Sequence, residues 1–172
     1  MEILPDVIKT GLTTVFCGSA ASTVSAQLGA YYSGPGNRFW QTLYETGLTP
    51  DLFSSADYHK LSVLGIGLTD LAKSKFGRDS KISSMDYDSR KLLRKIEKYR
   101  PKVIAFTGKR PAQHFFFFAH GQTIKNYGEQ TVQIGKTRIF VLPSPSGAAR
   151  RWWSVKPWNI LAQAHRREWE KK

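Results

Sequence analysis

The sequence predicts an α/β fold in which helices alternate with strands around a short, mostly parallel sheet. Three observations predict it. Apolar runs at residues 13–17 and 103–107 are too brief for helices and are followed by glycine, as buried strands commonly are. Between and around them, Phe39, Trp40, Leu43 and Tyr44, then Leu92, Leu93 and Ile96, recur at helical spacing. Strands separated by helices favour parallel pairing, with helix layers covering the sheet. The 172 residues contain no repeat, low-complexity tract or linker, so a single domain spanning 1–172 is expected.

The elements follow in order. Residues 13–17 are a first strand, with Gly11 before it and Gly18 after it. Residues 22–30 are small and polar and read as a helical turn or loop. Residues 37–45 are helical, and Gly47 ends them. Residues 64–70 are a second, shorter strand that leaves into a loop at Asp70. Asp86 or Asp88 caps a helix through Tyr99, which Pro101 stops. Residues 103–107 are a buried strand, and Gly108, Lys109, Arg110 and Pro111 open the next helix. The run Phe115 to Phe118 fits a buried helix segment, since four successive rings cannot all face one groove. Residues 131–134 and 137–142 pair as a hairpin across Gly135 and Lys136, and residues 157–169 form a charged last helix.

Charge narrows the function. Twenty-six Lys and Arg against thirteen Asp and Glu give a net charge of +13, which points to a polyanionic partner and first of all to nucleic acid. No separate basic amphipathic helix favours a membrane surface. The single cysteine, Cys17, ends an apolar run and allows no disulfide within the chain, which fits a reducing compartment. The first residues lack a basic start and a long apolar stretch, so a cytoplasmic protein, held at the nucleoid by DNA binding, is expected. The four histidines show no metal-ligand spacing, and no full phosphate- or dinucleotide-binding fingerprint is present.

Two segments about a hundred residues apart each run from an apolar stretch into small residues. One is Val15-Phe16-Cys17-Gly18-Ser19-Ala20-Ala21-Ser22, closing with Gly34-Pro35-Gly36-Asn37-Arg38-Phe39-Trp40; the other is Leu142-Pro143-Ser144-Pro145-Ser146-Gly147-Ala148-Ala149-Arg150. In an open α/β sheet such loops converge on the crevice outside the carboxyl ends of the strands. With Lys95-Ile96-Glu97-Lys98-Tyr99 and Gly108-Lys109, these segments make the chain resemble the mismatch-specific uracil/thymine DNA glycosylases of the uracil-DNA glycosylase superfamily, collinearly from about Thr10 to Arg150. The resemblance implies a three-layer α/β/α sandwich, a base flipped into a pocket, and hydrolysis of its glycosidic bond without metal or cofactor. It also implies DNA as partner, uracil-containing and double-stranded, with no obligate protein partner.

The chain departs from that family at two positions. The family carries Gly-Ile-Asn-Pro-Gly after the first strand, and its Asn positions the attacking water. Here Gly18, Ser19, Ala20, Ala21 and Ser22 stand in that stretch, with Ala20 at the Asn position, and Ser144 replaces the Asn of the second loop. The chemistry therefore needs another group. Breaking the C1′–N bond develops an oxocarbenium-like sugar. A carboxylate can stabilise that cation and accept a proton from water. Asp70, at the end of the second strand, is the first candidate, and a turn cap is its ordinary alternative. Asn37 is the second, its amide either holding water or capping the helix that follows.

The remaining roles follow from the resemblance. Tyr32 aligns with the aromatic that stacks on the flipped base, while Tyr31 or Tyr32 packs inward. Gly18, Ser19, Ala20, Ala21 and Ser144 line the base pocket. Ser146, Gly147, Ala148, Ala149, Arg150 and Arg151 form the loop that enters or grips the duplex. Ala148 and Ala149 are short for a wedge, so Arg150, Arg151 and the Trp152–Trp153 pair are expected to compensate. Lys73, just after Asp70, is expected to contact phosphate. The implied activity is a monofunctional uracil-DNA glycosylase that leaves an abasic site. The alternative is a catalytically silent module of the same fold that recognises damaged or single-stranded DNA.

Overall fold

Val, Ile, Phe and Leu dominate the central strands, and strands buried on both faces need such side chains to fill both layers. A computed structural model describes residues 1–172. Its elements run β1 (Thr14–Ala21), α1 (Thr23–Leu28), α2 (Phe39–Glu45), β2 (Ile66–Phe76), α3 (Ser89–Tyr99), β3 (Val103–Phe106), α4 (Lys109–His120), β4 (Gly128–Ile134), β5 (Thr137–Val141) and α5 (Lys156–Trp169). The five strands form one sheet in the order β2-β1-β3-β5-β4. All neighbouring pairs are parallel except β4–β5, the antiparallel hairpin at one edge.

Helices cover both faces. On one side α3 and α4 place Leu92, Ile96, Ala112, Phe115 and Phe116 against Val15, Cys17, Ile104 and Phe106. On the other, α2 and α5 bring Phe39, Trp40, Leu43, Trp158 and Leu161 onto Phe16, Leu68, Ala105 and Phe140. The second layer is richer in aromatic rings: Phe16 stands edge-on to Phe39 at 5.2 Å and stacks on Trp158 at 5.7 Å. Asp88, not Asp86, caps α3, its carboxylate accepting from the Lys91 amide at 2.8 Å. Arg100 ends that helix in the left-handed region, just before Pro101. The four-phenylalanine run is only half interior, since Phe115 and Phe116 are buried while Phe117 and Phe118 are exposed. No helix is long and apolar enough to cross a membrane.

Two strands are longer than the sequence predicts. β1 continues through Gly18, Ser19, Ala20 and Ala21, and β2 through Phe76. Gly, Ser and Ala are weak strand formers, but strand preference yields to context. Here the parallel ladder supplies it, pairing Gly18 with Asp70 and Ala20 with Ala72, before the register shifts between Ala20 and Ala21. Asp70 therefore lies within a strand rather than at the start of a loop.

The outer edge of β2 is covered by the segment preceding β1. Val7 and Leu68 exchange backbone hydrogen bonds at 2.9 Å each way, and the Ile3 amide donates to the Lys73 carbonyl at 2.8 Å. This strap places Asp6 against β2, where its carboxylate accepts from the Thr69 hydroxyl at 2.7 Å and pairs with Lys73 at 2.8 Å and with Lys95. The Lys73 ammonium also reaches the Leu4 carbonyl and the Tyr31 hydroxyl.

Candidate active site

Small residues at the carboxyl ends of β1, β3 and β5 leave room that larger side chains would fill. The result is a cleft of about 1230 Å³. Gly18 to Ala21 from β1, Asp70 from β2, Thr107 and Gly108 after β3 and Ser144 after β5 contribute to its lining, together with Tyr32 and Asn37. The two loops singled out in the sequence thus meet across one cavity. Their backbones touch directly, the Arg38 amide donating to the Pro145 carbonyl at 2.8 Å. Gly147 seats against the carbonyls of Pro35 and Gly36, where a Cβ would stand 3.0 Å from the Pro35 oxygen.

Asp70 sits at the floor. It is 7% exposed, and the nearby lysines are committed to Asp6 rather than to it. Burial pushes its carboxyl up to about 7; Lys73 and Lys95 oppose that rise and Asp6 adds to it. Opposite it, Gly18 is required sterically. A Cβ there would lie 2.5 Å from Asp70 Oδ1 and 3.4 Å from the Tyr32 hydroxyl, so this glycine gives the carboxylate its space.

Tyr32 is held in an unusual conformation. Its φ of 54° is left-handed, which costs a bulky side chain about 1–2 kcal/mol. A stack on Phe39 at 3.8 Å and a 3.0 Å hydrogen bond to the Thr107 hydroxyl offset that cost. With one face on Phe39, the ring has its opposite face and edge for the cleft. Tyr31 is the inward-packing member of the pair, with its ring 2% exposed. Asn37 lines the cleft and is not the cap of α2, which is Arg38; its Oδ1 accepts from the Phe39 amide at 2.9 Å in a turn that leads into the helix. That bond fixes the amide plane and leaves the Nδ2 group as a donor.

Other predicted residues are placed differently from one another. Ala20, Ala21 and Ser144 line the cleft, and the Ser144 hydroxyl accepts from the Ser146 amide at 3.3 Å. Ser19 lines it too, and its hydroxyl is hydrogen-bonded to the Tyr87 hydroxyl at 2.6 Å. Ser146, Gly147, Ala148, Ala149, Arg150 and Arg151 fall in and beside a 3₁₀ turn, Gly147–Trp152, on the cleft rim, with both arginines exposed. The phosphate role expected of Lys73 is overturned. Its side chain is 6% exposed and paired with Asp6, so it faces the strap instead of solvent. The polar run after Asp70 looked like a loop in the sequence, and its being a strand is what turns this lysine inward.

Arg78, Thr107, Lys109 and Tyr127 also line the cleft, and nothing in the sequence assigns a role there to Thr107, Lys109 or Tyr127. Thr107 and Gly108 did carry a signal, for they follow an apolar strand just as Gly18 does. Lys109, Arg78, Arg150 and Arg151 form no ion pair with a carboxylate, which leaves them available to an anion. Arg110 fastens the turn that carries Arg78 by donating to the carbonyls of Asp79 and Ile82. No group of three or more His, Cys, Asp or Glu side chains is placed to hold a metal ion.

Comparison with known proteins bears on this cleft. The family model of the Uracil DNA glycosylase superfamily matches residues 5–166. The solution NMR structure of a candidate uracil DNA glycosylase from Methanosarcina acetivorans is similar to this chain at 24% identity, with a TM-score of 0.62. The match covers 95% of this chain and 96% of that one, and it extends the likeness of fold over nearly the whole of both.

Proposed function

The chain belongs to the uracil DNA glycosylase superfamily, and from that premise we propose that it is a monofunctional glycosylase releasing uracil from DNA. Within the superfamily its motifs lie nearest the mismatch-specific branch, with Ala20 and Ser144 standing where that branch has its two Asn. The observation that carries the proposal is the Asp70 carboxyl: buried, given space by Gly18, raised to about 7, and left without a cationic partner of its own.

The reaction then runs as follows. The flipped nucleotide enters the cleft with its sugar over Asp70 and its base against Tyr32. As the C1′–N1 bond breaks, its electron pair leaves on uracil N1, and the ionised carboxylate stabilises the cationic sugar. Water attacks C1′, giving its proton to Asp70 as the new C–O bond forms. The proton passes on to uracil or to solvent, and an abasic site remains. Asn37 contributes an amide whose orientation is set by its bond to the Phe39 backbone, so it meets water or base without reorganising. Arg150, Arg151, Lys109 and Arg78 hold backbone phosphates around the opened site.

The test is abasic-site formation on end-labelled oligonucleotides carrying uracil opposite G, opposite A or in single strands. Wild type, Asp70→Asn and Asn37→Ala are compared. Alkali-dependent cleavage by wild type and loss of about 10²–10⁴-fold in Asp70→Asn is the expected result. Equal rates for wild type and Asp70→Asn, with loss in Asn37→Ala, would move the chemistry to Asn37. Cleavage without alkali would mean a covalent lysine, with Lys109 the one in the cleft. Binding without any excision would leave a recognition module.

A further inference from the structure

Three oxygens face one point on the cleft floor. A Cβ on Gly18 would stand 2.5 Å from Asp70 Oδ1, 3.4 Å from the Tyr32 hydroxyl and 3.7 Å from the Thr107 hydroxyl. The two hydroxyls bond each other at 3.0 Å, and Thr107 also donates to the Cys17 carbonyl at 3.5 Å. A carbonyl only accepts, so the Thr107 proton points to Cys17 and the Tyr32 proton to Thr107. Burial, aided by the Asp70 charge, pushes the Tyr32 hydroxyl well up, which keeps it protonated for that bond. Its oxygen retains a lone pair as an acceptor for the cleft. The left-handed φ of 54° at Tyr32 therefore places a hydroxyl as well as a ring.

An attacking water needs acceptors for its two protons and a lone pair left for C1′. Asn37, its Oδ1 turned to the Phe39 amide, offers the cleft only a donor. Ala20 offers nothing. We propose that the attacking water sits over Gly18, donating one proton to the Asp70 carboxylate and the other to the Tyr32 hydroxyl oxygen, with Thr107 as the positioning residue that orients that hydroxyl. The water oxygen bonds C1′ as the C1′–N1 electron pair leaves on uracil. The proton facing Asp70 transfers to the carboxylate, and the one facing Tyr32 stays on the product hydroxyl. Gly18 keeps the spot open, because any side chain there would occupy it. The proposal rests on the glycosylase reading above and adds its own demand: the hydroxyl of Tyr32 matters apart from its ring.

The experiment compares wild type, Tyr32→Phe, Thr107→Val and Thr107→Ser on duplex uracil opposite G. Single-turnover excision rates at saturating enzyme read the chemistry, and Kd for a duplex carrying non-cleavable 2′-fluoro-2′-deoxyuridine reads binding. Unfolding midpoints are measured alongside. Tyr32→Phe keeps the ring and is expected to lose about 10²-fold in rate, the effect of a misplaced nucleophile, with Kd within about twofold of wild type. Thr107→Val should lose about fivefold, the worth of one neutral hydrogen bond, and Thr107→Ser should recover most of it. An unchanged rate in Tyr32→Phe, a rate loss matched by an equal loss of binding, or no recovery in Thr107→Ser would overturn the proposal. A readout independent of excision is the crystal structure of the free protein, wild type and Tyr32→Phe. Wild type should show an ordered water within hydrogen-bond reach of both Asp70 and the Tyr32 hydroxyl, and Tyr32→Phe should lose it. If that water is seen but nothing is excised, the glycosylase reading fails while the water site stands. If wild type excises uracil and no water occupies that point, the site fails and the glycosylase reading stands.

Discussion

Asp6 and Asp70 flank the same stretch of β2 and have opposite surroundings. Asp6, on the strap, accepts from Thr69 and pairs with Lys73 and Lys95. Burial alone would push its carboxyl up, but hydrogen bonds from both lysines hold it below the ordinary value. Asp70, one residue from Thr69, has none of these partners, and burial carries it to about 7. A fold that places two lysines on one carboxylate and none on the next has separated a structural charge from a reactive one. A buried carboxylate without a partner is unfavourable for stability and poised to exchange a proton near neutral pH.

The comparison can be broken by exchanging each of the two acids for its amide. On duplex uracil, Asp70→Asn should fall by the 10²–10⁴-fold of a lost general base, while Asp6→Asn should stay within about threefold. Equal losses would mean that both carboxylates only support the fold. Urea unfolding sharpens the contrast from the other side. Asp6→Asn leaves the buried Lys73 without its countercharge and should destabilise the protein by about 2–3 kcal/mol, discounted for the partial exposure of Asp6.

pH separates them further. With the Asp70 carboxyl raised to about 7, its ionised fraction grows about tenfold between pH 6 and pH 8, and kcat/KM should grow with it. A pH-independent rate across that range would remove Asp70 as the base. Stability should move the opposite way. The raised carboxyl favours the folded state fully below its ordinary value of 3.8, and that contribution is lost as pH rises through about 7. Asp6, held low, contributes above 3.8 and loses its contribution as pH falls below it. Asp70→Asn should therefore abolish the decline in unfolding free energy above pH 4, by roughly 2–4 kcal/mol at pH 8. The smallest effect expected is that of Gly18→Ala, whose methyl must displace the Asp70 side chain. A severalfold slower excision with little change in melting temperature is the expected outcome, and an unchanged rate would show that the spacing is not needed.

Much of this arrangement was legible in the sequence, and the exceptions share a cause. The two loops, the alternation of elements and the choice of Asp70 and Asn37 for the cleft follow from local patterns of apolar and small residues. The extent of β1 and β2 does not, because Gly18 to Ala21 become a strand only through pairing with β2. The inward turn of Lys73 was hidden for the same reason. Its partner Asp6 lies 67 positions earlier by residue number, and only the strap brings them together. Thr107 and Lys109 were hidden differently. Thr107 ends an apolar strand as Cys17 does, while Lys109 opens α4, and only the folded sheet brings both to the cleft.

The strap has one more consequence, for the behaviour of many copies together. β2 and β4 are the two edges of the sheet, and an open strand edge invites pairing with another chain. Val7 and Ile3 occupy the backbone groups of β2 that would otherwise face outward. The opposite edge is interrupted by the register shift between Glu129 and Gln133. Neither edge offers a long flat template, so the same few residues that hold Asp6 beside β2 also guard the protein against edge-to-edge aggregation.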